Sequence, residues 1–250
     1  MSAGSLVFAG ALVVSATGAF FSDVETSTGN TFTAGAIDLK IDNTSYGFDW
    51  NNPTVSAPTG AWGPNQANSW EISDLTNQLF FSFGDLKPGD YGEDTISLHV
   101  DDNDAWACMA LDLTATPENG QNEPEAAVDD TAGANEGELQ NYLSFLFWFD
   151  DGDNVLETDE AVIQSLSGLS SEIFTGNWLP IAEPGEEAVP LEGGTTHYIG
   201  KGWCFGSIDD TPVDRSLANN TPPSPGATGF TCSGAGDHND AQTDGIGVDV

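Results

Sequence analysis

The stretch that decides the fold is FGDLKPGDYGEDTISLHVDDNDAWACMALDL, residues 83–113. Apolar and polar residues alternate along 94–100 and again along 105–115, which is the period of a strand with one buried face. Before these segments Pro88 fixes φ and Gly89 accepts a positive φ, as a tight turn requires. We therefore predict antiparallel strands at 94–100 and 105–115.

Similar apolar segments occur on both sides of this stretch. We predict further strands at 79–83, 139–149, 195–205 and 245–250, and one short helix within 159–174. With 29 Gly and 13 Pro in 250 residues, turns are frequent and long helices are disfavoured. The pattern indicates an all-β fold, a β-sandwich with at most one or two short helices. The last strand stops in mid-alternation, so we also expect an unfilled position in a sheet.

The charge of the chain excludes several classes of partner. Aspartate and glutamate total 40 against four basic residues, so the formal net charge is −36. Such a surface repels nucleic acid and anionic membranes. The acidic residues are spread along the chain, which favours adaptation to molar salt over a single patch for a cationic partner. We interpret the segment 117–138 as a long, mobile acidic surface loop.

The N-terminal segment, residues 1–19, has no charged residue and contains an apolar core followed by small residues. This pattern predicts a signal peptide that is cleaved between Ala19 and Phe20, so that the chain meets a membrane only during export. A permanent anchor and a buried strand are the alternatives. A basic region is missing before the apolar core, which indicates that the chain starts late or is truncated.

The next segments bear on strand pairing and on cysteine chemistry. Ile37, Leu39 and Ile41 alternate with charged residues, so 32–41 reads as a strand with one buried face, paired within its own chain or with another. The segment 43–78 is rich in Asn, Pro and Gly and holds three tryptophans, which predicts a long ordered insertion.

Cys204 and Cys232 are a candidate disulfide with Cys108 left over; the alternative is three inert buried thiols.

Two stretches resemble the TasA, camelysin and CalY family. ATGAFFSDVETSTGNTFTAGAIDLKI, residues 16–41, is similar to the export and maturation region of that family, and 83–113 is similar to its L-KPGD turn with the flanking strands. The resemblance implies an extracellular jelly-roll β-sandwich, here of a halophilic archaeal type, whose freed N-terminal strand inserts into the next subunit. It places a single domain at 20–250, with a donor segment at 20–29. The residues expected to drive polymerisation are Phe20, Phe21 and Val24.

The function that follows is that of a secreted subunit of an extracellular filament, pilus or biofilm matrix. Its partners would be copies of itself, with minor pilus subunits or an S-layer as further partners. One alternative is a secreted surface protein that binds calcium or glycans without polymerising. The other is a camelysin-like metallopeptidase.

One acidic cluster is a candidate calcium site. The segment FDDGDNVLETDE, residues 149–160, concentrates oxygen ligands around a glycine, and calcium takes six to eight such ligands. The predicted ligands are Asp150, Asp151, Asp153, Asn154, Glu157 and Asp159, with Glu160 beside them. The glycine and glutamate do not fit the register of an EF-hand, and a solvated turn is the alternative.

Other chemical signatures are weak. HExxH is absent and the histidines, His99, His197 and His238, are scattered, so we predict no enzymatic activity.

Asn43 and Asn219 lie in N-x-[ST] motifs and are candidate glycosylation sites. Four tryptophans fall in or beside the predicted strands, where we expect them to pack in the sheets rather than form a carbohydrate platform; they are Trp106, Trp148, Trp178 and Trp203.

Overall fold

The computed structural model describes residues 38–47, 62–64, 68–76, 78–81, 83–84, 86–131, 133–181, 190–214, 223–236 and 238–250. These residues belong to one unit that spans 36–250. The predicted signal peptide, its cleavage site between Ala19 and Phe20 and the donor segment 20–29 lie outside the described residues.

Antiparallel strands dominate the described chain. The strands are β1 Leu39–Gly47, β2 Gly63–Pro64, β3 Trp70–Ser73, β4 Tyr91–Val100, β5 Cys108–Met109, β6 Asp112–Ala115, β7 Leu143–Asp150, β8 Gly168–Leu169, β9 Leu179–Pro180, β10 Thr195–Phe205, β11 Ser207–Asp210, β12 Phe230–Ser233 and β13 Gly247–Asp249. One α-helix, α1 Ser170–Ile173, and short 3-10 helices at Glu125–Ala127, Leu139–Asn141, Gln164–Leu166 and Asn239–Ala241 complete the described elements. The predicted all-β class is confirmed.

The main sheet has seven strands in the order β2-β1-β4-β10-β7-β8, and β3 also pairs with β1. Its central strands β4, β10 and β7 bury both faces over most of their length. On one face the main core joins these strands to a second layer made of the pairs β5–β9 and β6–β13. On the other face a smaller cluster contains Trp148 and Phe230, where the β11–β12 hairpin packs.

Two glycines let large rings cross the middle of β10. A Cβ atom at Gly200 would overlap the indole of Trp148, and one at Gly202 would lie 2.7 Å from the Phe230 ring. Both distances are too short for a real Cβ contact, so a side chain at either position would have to displace a buried ring. The two glycines therefore allow the second cluster to pack directly on the backbone of β10.

A buried ion pair lies within the main core. The ammonium nitrogen of Lys201 is 2.9 Å from a carboxylate oxygen of Asp94 on the neighbouring strand. The Lys201 ammonium also donates a hydrogen bond of 2.8 Å to the Phe80 carbonyl and lies 4.2 Å from the centre of the Phe81 ring. The Asn43 amide donates to the second oxygen of Asp94 at 3.2 Å. This network links β1, β4 and β10 of the main sheet to Phe80 and Phe81, which lie over them.

Several predicted strands occur as expected. The strand predicted at 195–205 is β10, Thr195–Phe205, and the one predicted at 94–100 is β4, which begins earlier at Tyr91. The segment 245–250 contains β13. The helix expected within 159–174 is α1, together with the 3-10 helix Gln164–Leu166.

The strand prediction at 79–83 is wrong, since its described residues form no strand. They pack through aromatic rings instead: Phe80 against Trp70 at 5.0 Å between ring centroids, and Phe83 against Trp203 at 4.5 Å. No strand of the described chain pairs with this segment. The apolar run therefore reflects packing onto the main sheet, without a hydrogen-bonded neighbour.

Two other predicted strands are shorter than expected. The segment 105–115 is broken into β5 and β6 because its two halves pair with different partners, β9 and β13. In 139–149 the first three residues form the 3-10 helix Leu139–Asn141, and β7 begins at Leu143.

The Trp-rich insertion does not begin at 43, because β1 continues to Gly47 in unbroken register with β4. The alternation in β1 also differs from the prediction: Leu39 is exposed, whereas Ile41 is buried and the buried face then continues through Asn43 and Ser45. Polar residues can occupy this face because they are hydrogen-bonded. The Asn43 amide donates to the Asn68 carbonyl at 2.5 Å, and the Ser45 amide to the Ser69 hydroxyl at 3.0 Å.

The segment 117–138 lies at the surface, with many of its residues exposed, but it is anchored to the rest of the fold. Its side chains Glu118, Glu125 and Asp129 are buried, and its backbone bonds to distant parts of the chain, including Gly245 N–H to the Pro117 carbonyl at 2.9 Å. Acidic composition alone led to the prediction of a mobile loop, but the neighbours that bury these side chains come from residues more than 100 positions away.

Candidate functional site

A groove lined by both apolar and polar side chains opens beside the last strand, β13. It has a volume of about 1030 Å³ and runs between the segment 81–88 and the segment 236–248. Its floor is the main core, with Leu143, Phe145 and Trp203 among the lining side chains. A second cavity of about 420 Å³ shares Phe81 and Val248 with the first. The two cavities therefore adjoin along β13.

The wall of this groove is the edge of a strand. Every residue from Gly245 to Val250 lines one of the two cavities. Successive residues of a strand point to opposite faces, so an unbroken run of lining residues indicates an edge rather than a face. The other edge of β13 is occupied by β6, and β13 pairs with no further strand of the described residues.

Exposed apolar side chains form part of the rim of the smaller cavity, next to the polar residues Thr76, Gln78 and Asp249. Leu75, Leu79 and Val250 line it, and all three are among the exposed large hydrophobic residues. Contiguous exposed apolar surface next to an open sheet edge is typical of a binding surface for an extended chain. The predicted polymerisation residues, Phe20, Phe21 and Val24, lie outside the described residues, so no occupant is defined by the structure.

The predicted calcium loop at 150–160 is closed largely by its own backbone. One oxygen of Asp150 accepts hydrogen bonds from Gly152 N–H at 3.0 Å and Asn154 N–H at 3.1 Å. The Glu160 carboxylate accepts from Asp151 N–H and Glu157 N–H, each at 2.9 Å. These bonds hold a turn in which Asn154 takes a φ of +64°.

Only part of the predicted ligand set converges. Oxygens of Asp151, Glu157 and Glu160 lie within 4.8 Å of one another, so these three could share an ion. Asp150 is outside that group and Asp159 is exposed. The remaining predicted ligands, Asp153 and Asn154, are buried, and one oxygen of Asp153 accepts a hydrogen bond from Val155 N–H at 3.1 Å.

Burial raises the pKa of three carboxyl groups in and next to this loop, those of Asp150, Glu160 and Glu93. Burial raises the pKa of Asp150 to about 6 and that of Glu160 to about 8. Glu93 on β4 is fully buried, and neither of its carboxylate oxygens has a hydrogen-bond partner in the described chain. Its burial, and next the charges of Asp94 and Asp150, raise its pKa well above the usual range. Sequence reasoning missed Glu93 because the predicted strand began at Asp94, and only the packing of both faces of β4 shows that position 93 is buried.

The cysteines fall into two kinds. Cys204 on β10 and Cys232 on β12, the candidate pair, are joined by a disulfide with a Cα–Cα distance of 5.6 Å. Cys108 is a free and exposed thiol, so the alternative of three inert buried thiols is wrong. The disulfide fastens the β11–β12 hairpin to the central strand of the main sheet.

The structure corrects two predictions about surface chemistry. Asn43 is buried and hydrogen-bonded inside the core, so the folded protein has no room for a glycan there; Asn219 lies outside the described residues. Trp148 and Trp203 are buried as predicted, whereas Trp106 and Trp178 are exposed.

The histidines do not converge on a metal site. His99 is 2.9 Å from a carboxylate oxygen of Asp42, and His238 packs against the rings of Tyr142 and Phe205. Where metal-ligating side chains come close together in the described ranges, the groups contain only carboxylates. No helix in those ranges has the length and apolar character needed to cross a bilayer.

A comparison of the sequence with models of known protein families finds no match, and a comparison with curated proteins finds none either.

Proposed function

We propose that this chain is an exported structural subunit of an extracellular filament, which assembles when the N-terminal segment of one copy enters the groove beside β13 of the next. The observation that carries the proposal is the edge of β13 that pairs with no strand of the described residues and borders a groove whose floor is the main core. An unpaired strand edge offers a row of backbone donors and acceptors, and an extended peptide can satisfy them.

The opposite wall of the groove supports strand insertion. The segment 79–83 has the sequence of a strand, LFFSF, and lines the cavities through Leu79, Phe80, Phe81 and Phe83, yet its described residues form no strand. A peptide inserted between this segment and β13 would supply a hydrogen-bonding neighbour to both. The proposal thus explains why a strand-like sequence pairs with no strand among the described residues of a single copy.

The proposed occupant is the segment 20–29, which signal-peptide cleavage would free. As a strand it would span about 33 Å, longer than the wall formed by 245–250, at about 3.3 Å per residue. Phe20 and Val24 would fall on one face of that strand and Phe21 on the other. Because the donor segment and the groove are different surfaces, repeating the contact gives an open head-to-tail filament.

Two further features support export and salt-dependent assembly. A disulfide such as Cys204–Cys232 persists in oxidising compartments outside the cytosol. A net charge of −36 makes copies repel one another, and molar salt reduces the Debye length to about 3 Å, which screens that repulsion. We therefore expect filaments to form best at high ionic strength.

The test uses exposed positions so that the single subunit still folds. Leu79 and Val250 at the groove are 56% and 46% exposed, and Ile72 on β3, away from both cavities, is 50% exposed and serves as the matched control. In electron micrographs of chain beginning at Phe20 in molar salt, we expect filaments for the wild type and for I72D, and none for L79D/V250D. Deleting 20–29 should also abolish them while circular dichroism stays unchanged. Filaments that persist in L79D/V250D, or none in the wild type, would overturn the proposal.

A second candidate function rests on the exposed indoles of Trp106 and Trp178. Aromatic rings that project into solvent are suited to stacking on sugar rings, and they would fit a secreted glycan-binding protein that does not polymerise. That function predicts binding to a glycan array that is lost in W106A/W178A, with single particles in the micrographs.

A further inference from the structure

Five acidic residues come together at one end of the second layer, away from the loop 150–160. They are Glu118, Glu125, Asp129, Glu138 and Asp244, which we call the acidic basin. Glu118 is 2% exposed and Glu125 is 0% exposed. Two groups of close carboxylates share Glu118, one with Glu125 and Asp244 and the other with Asp129 and Glu138.

The fold assembles the basin from segments that are far apart in the sequence. The side chain of Asn122 donates to that of Gln242 at 2.8 Å, and the backbone N–H of Glu138 donates to the carboxylate of Asp244 at 2.5 Å. The Thr243 hydroxyl donates to the Glu125 carboxylate at 3.1 Å. These contacts join the segment 117–138 to residues 242–244 and hold the carboxylates in place. The acidic basin is therefore a defined part of the fold and not a chance cluster on a mobile loop.

In the group formed by Glu118, Glu125 and Asp244, several carboxylate oxygens have no hydrogen-bond donor among the described residues. Both oxygens of Glu118, one oxygen of Glu125 and one oxygen of Asp244 are buried and accept no hydrogen bond from a donor group of the described residues. The Glu118 and Asp244 carboxyl groups contact each other. The second oxygens of Glu125 and Asp244 are held by the protein's own donors. Each of these two side chains is therefore oriented by one oxygen and offers the other to the shared space.

Such an arrangement is electrostatically costly without a ligand. Oxygen atoms of Glu118, Glu125 and Asp244 lie within 4.8 Å of one another, so their negative charges repel at short range. Lys40 and Lys201 pair with aspartates elsewhere. A divalent cation would neutralise the group and coordinate the oxygens that lack donors.

We propose that Glu118, Glu125 and Asp244 bind a calcium ion. All the offered ligands are oxygens, which suits a hard cation and argues against zinc, for which nitrogen or sulfur ligands would be expected. The site offers four oxygens, both of Glu118 and one each of Glu125 and Asp244. Calcium accepts such ligands in flexible geometry and completes its coordination with water, whereas magnesium requires a near-ideal octahedron. This site is distinct from the predicted loop at 150–160 and does not depend on filament assembly.

The test compares three variants by calcium titration of the full chain after chelator treatment, in molar potassium chloride. In E118Q we expect the calcium affinity measured by calorimetry to fall at least tenfold. The matched control E123Q removes an exposed acidic residue of the same segment, and we expect it to bind like the wild type. D151N in the loop 150–160 is also expected to retain the high-affinity ion. Loss of that ion in D151N but not in E118Q would overturn the proposal.

A stability measurement separates ion binding from a structural role. Because E118Q removes an uncompensated buried charge, it should melt at a higher temperature than the wild type in chelator and gain less from added calcium. A variant that only damaged the fold would melt lower under both conditions, and that result would contradict the proposal. Should E118Q fail to fold, D244N, at a less buried member of the group, is expected to show the same reversal.

Discussion

Replacing Lys201 with methionine tests the buried ion pair at the centre of the main core. The Lys201 and Asp94 side chains are 1% and 0% exposed, with 2.9 Å between Nζ and Oδ2. Methionine keeps most of the apolar stem but leaves the Asp94 carboxylate buried without a cation. It also leaves the Phe80 carbonyl without the donor that now lies 2.8 Å away.

The expected loss is large compared with the stability of a domain. Removing one partner of a buried ion pair costs about 3–5 kcal/mol. The orphaned carbonyl adds about 1 kcal/mol. We expect K201M to lower the free energy of unfolding by about 4–6 kcal/mol, against a typical total of about 5–15 kcal/mol.

Urea unfolding followed by tryptophan fluorescence in molar salt measures this loss. The matched control is K40M, which removes a lysine paired with Asp38 at the exposed end of the main sheet; an exposed pair contributes little, so we expect no measurable shift. In K201M/D94N the loss should be smaller than the sum of the two single losses by at least about 2 kcal/mol, because the uncompensated charge is gone. Equal urea midpoints for K201M and K40M would refute the reasoning.

Three further predictions concern the other face of the sheet. Because burial raises the pKa of Glu160 to about 8, the folded state binds its proton more tightly than the unfolded chain, so the free energy of unfolding without calcium should fall as pH rises from about 5 to about 8. The slope should flatten in E160Q, and a rising slope in the wild type would contradict the assignment. Reducing the Cys204–Cys232 disulfide should cost about 3–4 kcal/mol for a loop of 28 residues, measured by melting with and without reductant. G200A should lose about 1–3 kcal/mol through overlap with a buried indole, while G63A, where an added Cβ contacts nothing within 4 Å, should melt like the wild type.

The parts of the fold that were predictable from the sequence are those decided by local alternation. The strand β4 was predicted because Ile96, Leu98 and Val100 occupy every second position of a run next to turn residues. The segment 79–83 has the same composition, yet a strand also needs a neighbour, and no neighbour can be read from the segment itself. β-Propensity describes how well a residue fits a pleated surface, and it leaves open whether that surface exists.

The acidic basin could not be predicted for a related reason. Glu118 and Asp244 are separated by more than 100 residues, and acidic residues in a chain with 40 of them carry little positional information. The cluster at 150–160 stood out because its members are adjacent in sequence, but adjacency let the backbone N–H groups of the turn satisfy Asp150 and Glu160. Long-range burial distinguishes the basin, and only the fold provides it.

The acidic basin and the groove share part of their walls, because Asn122, Thr243 and Asp244 line the larger cavity and β13 begins three residues later. An ion bound to Asp244 would also fix the position of the residues just before β13, the strand beside which a neighbouring copy would dock. If both proposals are correct, thermodynamic reciprocity requires that whatever calcium binding adds to docking, docking adds equally to calcium affinity. The divalent cation concentration of the surrounding medium would then regulate how readily one subunit binds the next.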